Sequence, residues 1–319
     1  MERLLRRRAQ RGQVVVVFAL AGFAMILMVG LVLDGGSTFG QRRVQQNAAD
    51  LAALAGANAW LLEPDPTLKA NAAVTAAKAV AQQNGYTDGT DEVVVTVTPQ
   101  AYGSAGAETV KVDVQAKHKN AFAGMVLMPT WDVAVTATAV TGPGGSARGV
   151  APFMFLNTTF VNGSGEMLPQ YSDPLHPFTF GEANGDVPVS PNDISWTVFA
   201  SPANLNTSTV RNIINGSDQL SRPVSINQYI GQHNNGNHTA LYTDVQQYLA
   251  GQTLTVPITD ANGFFQGWAM FHVVSASGGS SKTITGYFTT GFSEDLDVCT
   301  TGSGCPVTYG GIRVLKLIN

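Results

Sequence analysis

Charge and cysteine are scarce in this chain. Of 319 residues only 13% are charged and 8% aromatic; five are histidine and two are cysteine. Two thiols cannot complete a four-ligand zinc site, and they are too few for a disulfide-built scaffold. The 18 basic residues are outnumbered by 22 acidic ones. No basic patch interleaved with aromatics occurs, which argues against a nucleic-acid partner. None of the Gly-x-Ser-x-Gly, His-Glu-x-x-His, EF-hand or phosphate-loop patterns is present. No catalytic residue, cofactor or metal is therefore expected, and no repeat of fixed period is visible.

One long apolar run is present. Residues 14–33, VVVVFALAGFAMILMVGLVL, carry no charge and directly follow Arg3, Arg6, Arg7, Arg8 and Arg11. A helix of that length rises about 30 Å, the hydrocarbon thickness of a bilayer, and satisfies its own backbone there. The arginine block on one flank and Asp34 on the other predict a single-pass membrane protein, N-terminus cytoplasmic and C-terminus extracytoplasmic. The run is longer than a signal-peptide core and ends in Leu33-Asp34-Gly35 rather than Ala-x-Ala, which predicts a retained anchor in the lipid bilayer. Gly22 and Gly30, with Ala19 and Ala24, make self-association through the anchor an option. Beyond the run, 13 basic residues face 21 acidic ones, since five of the 18 and one of the 22 precede it.

Past the anchor, the glycines at 35–36 are expected to loosen the helix before it resumes over Thr38–Leu62. Val44, Ala48, Leu51, Ala55, Ala59 and Leu62 recur at helical spacing as its apolar stripe, with Arg42, Arg43 and Gln46 opposite. Asp65 and Pro66 suit the start of a second helix over about residues 66–84, ended by Asn84-Gly85. The period then changes to two: Val93, Val95 and Val97; Val110, Val112 and Val114; Val133, Val135 and Ala137 predict three half-buried strands. The apolar segment AFAGMVLMP, residues 121–129, separates the last two and fits a helical turn or two. Beyond the TGPGGS stretch at 141–146, turns multiply. Helices are expected at Thr239–Ala250, where Leu241, Tyr242, Val245, Tyr248 and Leu249 share a face, and at 207–215. Strands are expected at 194–199, 253–258, 264–275, 282–290 and 311–318. The fold class is α+β: a transmembrane helix, a small helix-on-antiparallel-sheet domain and a β-rich second domain. The expected division is a cytoplasmic stub at 1–13, the span at 14–33, the α+β domain at 34–140, a linker at 141–149 and the β-rich domain at 150–319.

Specific residues carry a resemblance. Arg11-Gly12, Phe18-Ala19-Leu20, Asp34, Gln46-Asn47-Ala48-Ala49-Asp50 and Leu54-Ala55-Gly56-Ala57 follow, in order, the pattern of the Tad/Flp pilus-assembly TadG-like (TadE/TadG-like) membrane proteins. The resemblance covers about 45 residues and implies a membrane-anchored, non-enzymatic subunit or assembly factor of a Tad/Flp-type pilus or secretion system. Other pilus-assembly proteins would then be its partners. TadE-type pseudopilins carry a glutamate where this chain has Val17, so peptidase removal of residues 1–12 is not expected. The Asp-x-Ser-x-Ser metal motif of the von Willebrand A domains found in some relatives is missing; DGGST at 34–38 does not match it.

The remaining candidates have ordinary readings beside functional ones. Cys299 and Cys305 bracket CTTGSGC, a turn-rich loop that a disulfide would close in an oxidising compartment. His233 and His238 in GQHNNGNH, and the set Asp173, His176, Glu182 and Asp186, are weak metal candidates more simply read as loop residues. His118 reads as a solvated strand end and His272 as a core or edge residue. Asn157, Asn162, Asn206, Asn215 and Asn237 begin Asn-x-Ser/Thr triplets, which matter only where glycosylation occurs. Trp196, Trp268, Tyr242, Tyr248, Phe264 and Phe265 would carry the alternative function, a tethered adhesin or glycan-binding module.

Overall fold

Residues Glu2–Leu62 form one unbroken helix of 61 residues, α1, about 90 Å long at 1.5 Å per residue. The computed structural model describes residues 2–148, 150–161, 165–199, 206–218, 221–222, 224–231, 238–293, 295–301 and 304–318. The chain divides into two units: Met1–Pro99 with Val110–Thr138 and Leu317–Asn319, and Gln100–Thr109 with Ala139–Lys316. Architecture is mixed α+β: a long apolar helix, a second small helix, then a β-rich region with two further helices.

Contrary to expectation, α1 does not loosen at Gly35 and Gly36. Each such glycine costs about 1 kcal/mol relative to alanine. Local bonds also hold the turn: the Ser37 and Thr38 hydroxyls donate to the Asp34 carbonyl at 2.9 and 2.8 Å. The buried face also differs from the expected stripe. Val44, Leu51 and Leu62 are exposed, whereas Gln45, Ala48, Ala49, Ala52, Ala53, Gly56 and Ala57 are buried. These small residues recur at steps of three and four. They let α1 approach its neighbours more closely than leucine or valine would, so size rather than hydropathy selects the inward face.

Helix α2 (Lys69–Gln83) packs against α1 through Ala73, Ala77 and Ala81. It starts three residues later than expected, because Asp65 does not cap it. The Asp65 carboxylate instead accepts from the Thr67 N–H at 2.8 Å and its hydroxyl at 2.7 Å, a local turn. Asn84 follows the helix and Gly85 takes φ +91°, the left-handed stop that glycine accommodates. Strands β1 (Val94–Tyr102), β2 (Ala107–Lys119) and β3 (Thr130–Gly142) follow. Val95, Val110, Val112, Val114, Val133 and Val135 are buried on alternate positions. A short 3₁₀ turn, Ala123–Val126, separates β2 from β3.

The later strands are β4 (Gly144–Arg148), β5 (Phe153–Leu156), the paired β6 (Phe160–Val161) and β7 (Glu166–Met167), β8 (Phe178–Glu182) and β9 (Asp193–Trp196). Helix α3 (Thr207–Ile214), β10 (Ser221–Arg222) and α4 (Thr239–Tyr248) come next. Then follow β11 (Thr253–Thr259), β12 (Phe265–Gly278), β13 (Lys282–Thr289), β14 (Leu296–Val298), β15 (Val307–Thr308) and β16 (Val314–Ile318). The TGPGGS stretch holds the end of β3 and the start of β4, separated by Pro143, which has no N–H to continue a ladder. The last strand, expected within the second region, lies beside β3 in the sheet β1-β2-β3-β16, where it pairs an edge that would otherwise be open.

The order β11-β5-β9-β8-β13-β12, with β12 pairing back onto β11, closes a ring of six strands. Pairs β8–β9 and β5–β11 are parallel and the other four antiparallel. Side chains fill the interior, as in other small barrels. Phe155 meets Phe180, Phe271 and Phe288 at ring-centroid distances of 5.0, 4.8 and 4.9 Å. A second cluster on the outer side holds Met154, Phe265, Trp268 and Leu296, and Trp268 Nε1 donates to the Gly145 carbonyl at 2.7 Å. On α4, Leu241, Tyr242, Val245 and Leu249 are buried while Tyr248 is exposed, so Tyr248 does not share the inward face.

Two substitutions probe these cores. A Cβ added at Gly56 would meet Val110 Cγ1 at 2.9 Å and Ala77 Cβ at 3.2 Å. Gly56→Val should therefore destabilise the helix–sheet unit by about 1–3 kcal/mol. Phe155→Ala should cost about 3–5 kcal/mol in the barrel. Denaturant unfolding of the detergent-solubilised chain, followed with a reporter in each unit, reads both.

Candidate functional site

The most elaborated polar site in the first unit lies where the apolar part of α1 ends. Asp34 is 1% exposed. Its Oδ1 accepts from the Ala121 N–H at 2.8 Å and the Phe122 N–H at 3.2 Å. Its Oδ2 accepts from Phe122 at 3.0 Å and from Ala123 at 2.6 Å. Burial pushes the Asp34 pKa up, but the donors from Ala123, Ala121 and Phe122, helped by the nearby His118, outweigh it and hold the carboxyl below its ordinary range. One helical turn earlier, a Cβ on Gly30 would lie 2.6 Å from Phe122 Cβ. Phe122 thus occupies the small-residue position that suggested anchor self-association.

Above this turn, α1 presents polar side chains to the sheet. Gln45, fully buried, donates from Nε2 to the Val114 and Val133 carbonyls at 2.7 and 2.9 Å, tying β2 to β3. Gln46 donates to the Thr136 carbonyl at 3.0 Å and to Asp50 at 2.8 Å. It therefore reaches the sheet rather than lying opposite the packed face. His118 is buried, not a solvated strand end; Ser37 Oγ lies 3.0 Å from Nε2 and Gln41 Oε1 2.5 Å from Nδ1. Alternating burial along β2 was the available signal, since His118 continues the inward series of Val110, Val112, Val114 and Ala116.

In the second unit the candidate metal sets separate. Asp173 and His176 pair on an exposed loop at 2.7 Å. Glu182 instead joins His238 Nδ1 at 2.8 Å and Lys282 Nζ at 2.9 Å. Burial pushes Glu182 up, while His238 and Lys282 more than offset it and lower its pKa. A carboxylate orienting an imidazole is one part of an acyl-transfer site. Among the described residues, however, His238 Nε2 is buried without a partner, so no nucleophile is hydrogen-bonded to it. No group of three metal-capable side chains occurs among the described residues. His233, Asn162 and Asn237 lie outside them. His272 sits on β12 with Thr253 Oγ1 at 2.9 Å and the Tyr287 ring at 4.9 Å. Asn206 caps α3 by accepting from the Ser208 N–H at 3.0 Å.

Trp196, Trp268, Tyr242 and Phe265 are completely buried, which removes most of the aromatic face proposed for a glycan-binding module. Cys299 and Cys305 are bonded, S–S 2.02 Å.

The Asp34 geometry gives a signed pH dependence. Folding lowers this pKa, so its stabilisation is complete above the ordinary carboxylate range near about pH 4. It is lost as the pH falls through the lower folded value. The protection factors of the Ala121, Phe122 and Ala123 amides in micelles, with the intrinsic pH dependence of exchange divided out, should fall on acidification through that window. Asp34→Ala should remove the protection at all pH values, whereas Asp34→Asn should keep part of it.

Residues 12–59 match the Tad family model, described as "Putative Flp pilus-assembly TadE/G-like". No curated protein and no solved structure matches the chain. Val14–Leu62 includes a window apolar and long enough to cross a membrane, near the N-terminus and mostly unburied, which fits a single-pass membrane protein. The matched stretch contains the apolar run, Asp34 and the glutamines that bind the sheet, and the match supports involvement of this chain in Tad pilus assembly.

Proposed function

We propose that the chain is a membrane-anchored, non-enzymatic subunit or assembly factor of a Tad/Flp-type pilus or secretion system. Residues 1–13 face the cytoplasm and 14–33 span the membrane. The α+β region at 34–140 and the extension at 150–319, joined through 141–149, are displayed outside. Other pilus-assembly components are its protein partners. The observation carrying this reading is that the family match coincides with a helix that combines a bilayer-length apolar run with a sheet-binding polar row. The arginine block before the run and the acidic excess after it support the orientation. The pairing of Cys299 with Cys305 is consistent with an oxidising exterior.

Deleting the gene in a piliated host should abolish surface Flp pili, and the full chain should restore them. Normal piliation in the deletion strain would overturn the proposal. Protease added to intact cells with an opened outer envelope should digest residues beyond Asp34 and spare the N-terminal stub. Mass spectrometry of the non-reduced protein should find the Cys299 and Cys305 peptides joined, separating only after reduction; free thiols in freshly isolated protein would remove the disulfide's support for that orientation.

A further inference from the structure

The segment between β2 and β3 has an unusual combination of properties. Residues 120–129, NAFAGMVLMP, contain no charge. Met125 is 78% exposed, Leu127 92% and Met128 54%. Leu127 also takes φ +68°, a left-handed conformation that glycine or asparagine accommodates far better than leucine. Leu127 ends the 3₁₀ turn in that conformation with its side chain almost wholly in the open, an outlier of the kind found at functional positions.

Its position on α1 identifies the partner. Phe122 packs onto Gly30, three residues inside the end of the apolar run, about 4.5 Å below Leu33 along the helix axis. Asp34 holds the backbone of residues 121–123 at the next turn. The segment therefore hangs beside the last turn of the lipid-facing helix, and its exposed apolar side chains extend the same surface.

The backbone is prepared for that setting. Near lipid, an N–H without a partner is costly. Here the Ala121, Phe122 and Ala123 N–H groups go to Asp34. Those of Asn120, Met125, Leu127 and Met128 go to the carbonyls of Pro129, Phe122, Gly124 and Ala123 at 2.9, 3.0, 3.3 and 3.0 Å. Asn120 Nδ2 also covers the Met128 carbonyl at 2.9 Å.

We infer that residues 122–128 are a second membrane contact. Met125, Leu127 and Met128 enter the headgroup–acyl boundary of the leaflet where the span ends, and the folded unit is thereby held at a fixed height and angle on the bilayer. The occupant is lipid, because the patch is continuous with the lipid-facing surface of α1. The inference rests on the reading of residues 14–33 as a span.

The test uses the full chain reconstituted in phosphatidylethanolamine–phosphatidylglycerol vesicles, with an environment-sensitive fluorescent amino acid at position 125 or 127. Position 25, within the span, and position 94, an exposed site on β1, serve as references. Nitroxide lipids labelled at the headgroup or mid-chain, and aqueous iodide, act as quenchers. The expected result is strong quenching at 125 and 127 by the headgroup label, with iodide quenching reduced several-fold relative to position 94. Iodide access at 125 and 127 equal to that at 94, with position 25 quenched by the mid-chain label, would overturn the second contact and leave the span intact. Shielding from iodide without lipid quenching would mean that protein covers the patch, and would also overturn it. Absence of lipid quenching at position 25 would remove the span, and the contact with it.

Discussion

A carboxylate withdrawn from water must find hydrogen-bond donors, and three consecutive backbone N–H groups must find acceptors. At the C-terminal end of the apolar run the two needs meet: Asp34 accepts from Ala121, Phe122 and Ala123. This exchange fastens the segment between β2 and β3 to a defined turn of α1. The contact of Phe122 with Gly30 one turn earlier adds an apolar component to the same attachment. The continuity of α1 through Gly35 and Gly36 matters for the same reason. An unbroken helix transmits the position of the apolar run directly to the sheet of the same unit, with no hinge between them.

Small size is the second constraint. The inward face of α1 is alanine, glycine and glutamine, and α2 adds Ala73, Ala77 and Ala81. Each alanine buries little area, so the packing depends on close approach along many turns rather than on a few large anchors. Close approach also brings Gln45 within reach of two strand carbonyls. Both N–H groups of that buried amide are used, whereas its Oε1 has no partner among the described residues. The family match at 12–59 thus falls on a segment that changes character along its length, from an exposed apolar run to a row of small and polar residues packed on a sheet.

The extension follows different physics. Its stability comes from a closed ring of strands filled with phenylalanine and from a second buried cluster around Phe265 and Trp268 on the outer side. Much of this was readable: the α4 region, the α3 region and the strands expected at 194–199, 253–258, 264–275 and 282–290 appear close to their expected places. Strand β5 was not, because Phe153 and Phe155 face the barrel interior while Met154 packs outside. A strand buried on both sides shows no alternation, so period-two reading misses it. The Glu182–His238–Lys282 cluster was equally hidden, since β8, the start of α4 and β13 come together only when the ring closes.

From residue order alone came the apolar run and its flanking arginines, the stretch similar to TadG-like proteins, the valine strands and the α+β class. Those features depend on local periodicity and on charge, which a linear chain displays openly. Tertiary structure decided which face of α1 turns inward, because hydropathy favoured Val44, Leu51 and Leu62 while the distance to the sheet admitted only alanine, glycine and glutamine. It also decided the burial of His118, the return of the last strand to the first sheet and the partner of Asp34. Each of these depends on groups brought together from distant parts of the chain, for which neighbouring residues provide no signal.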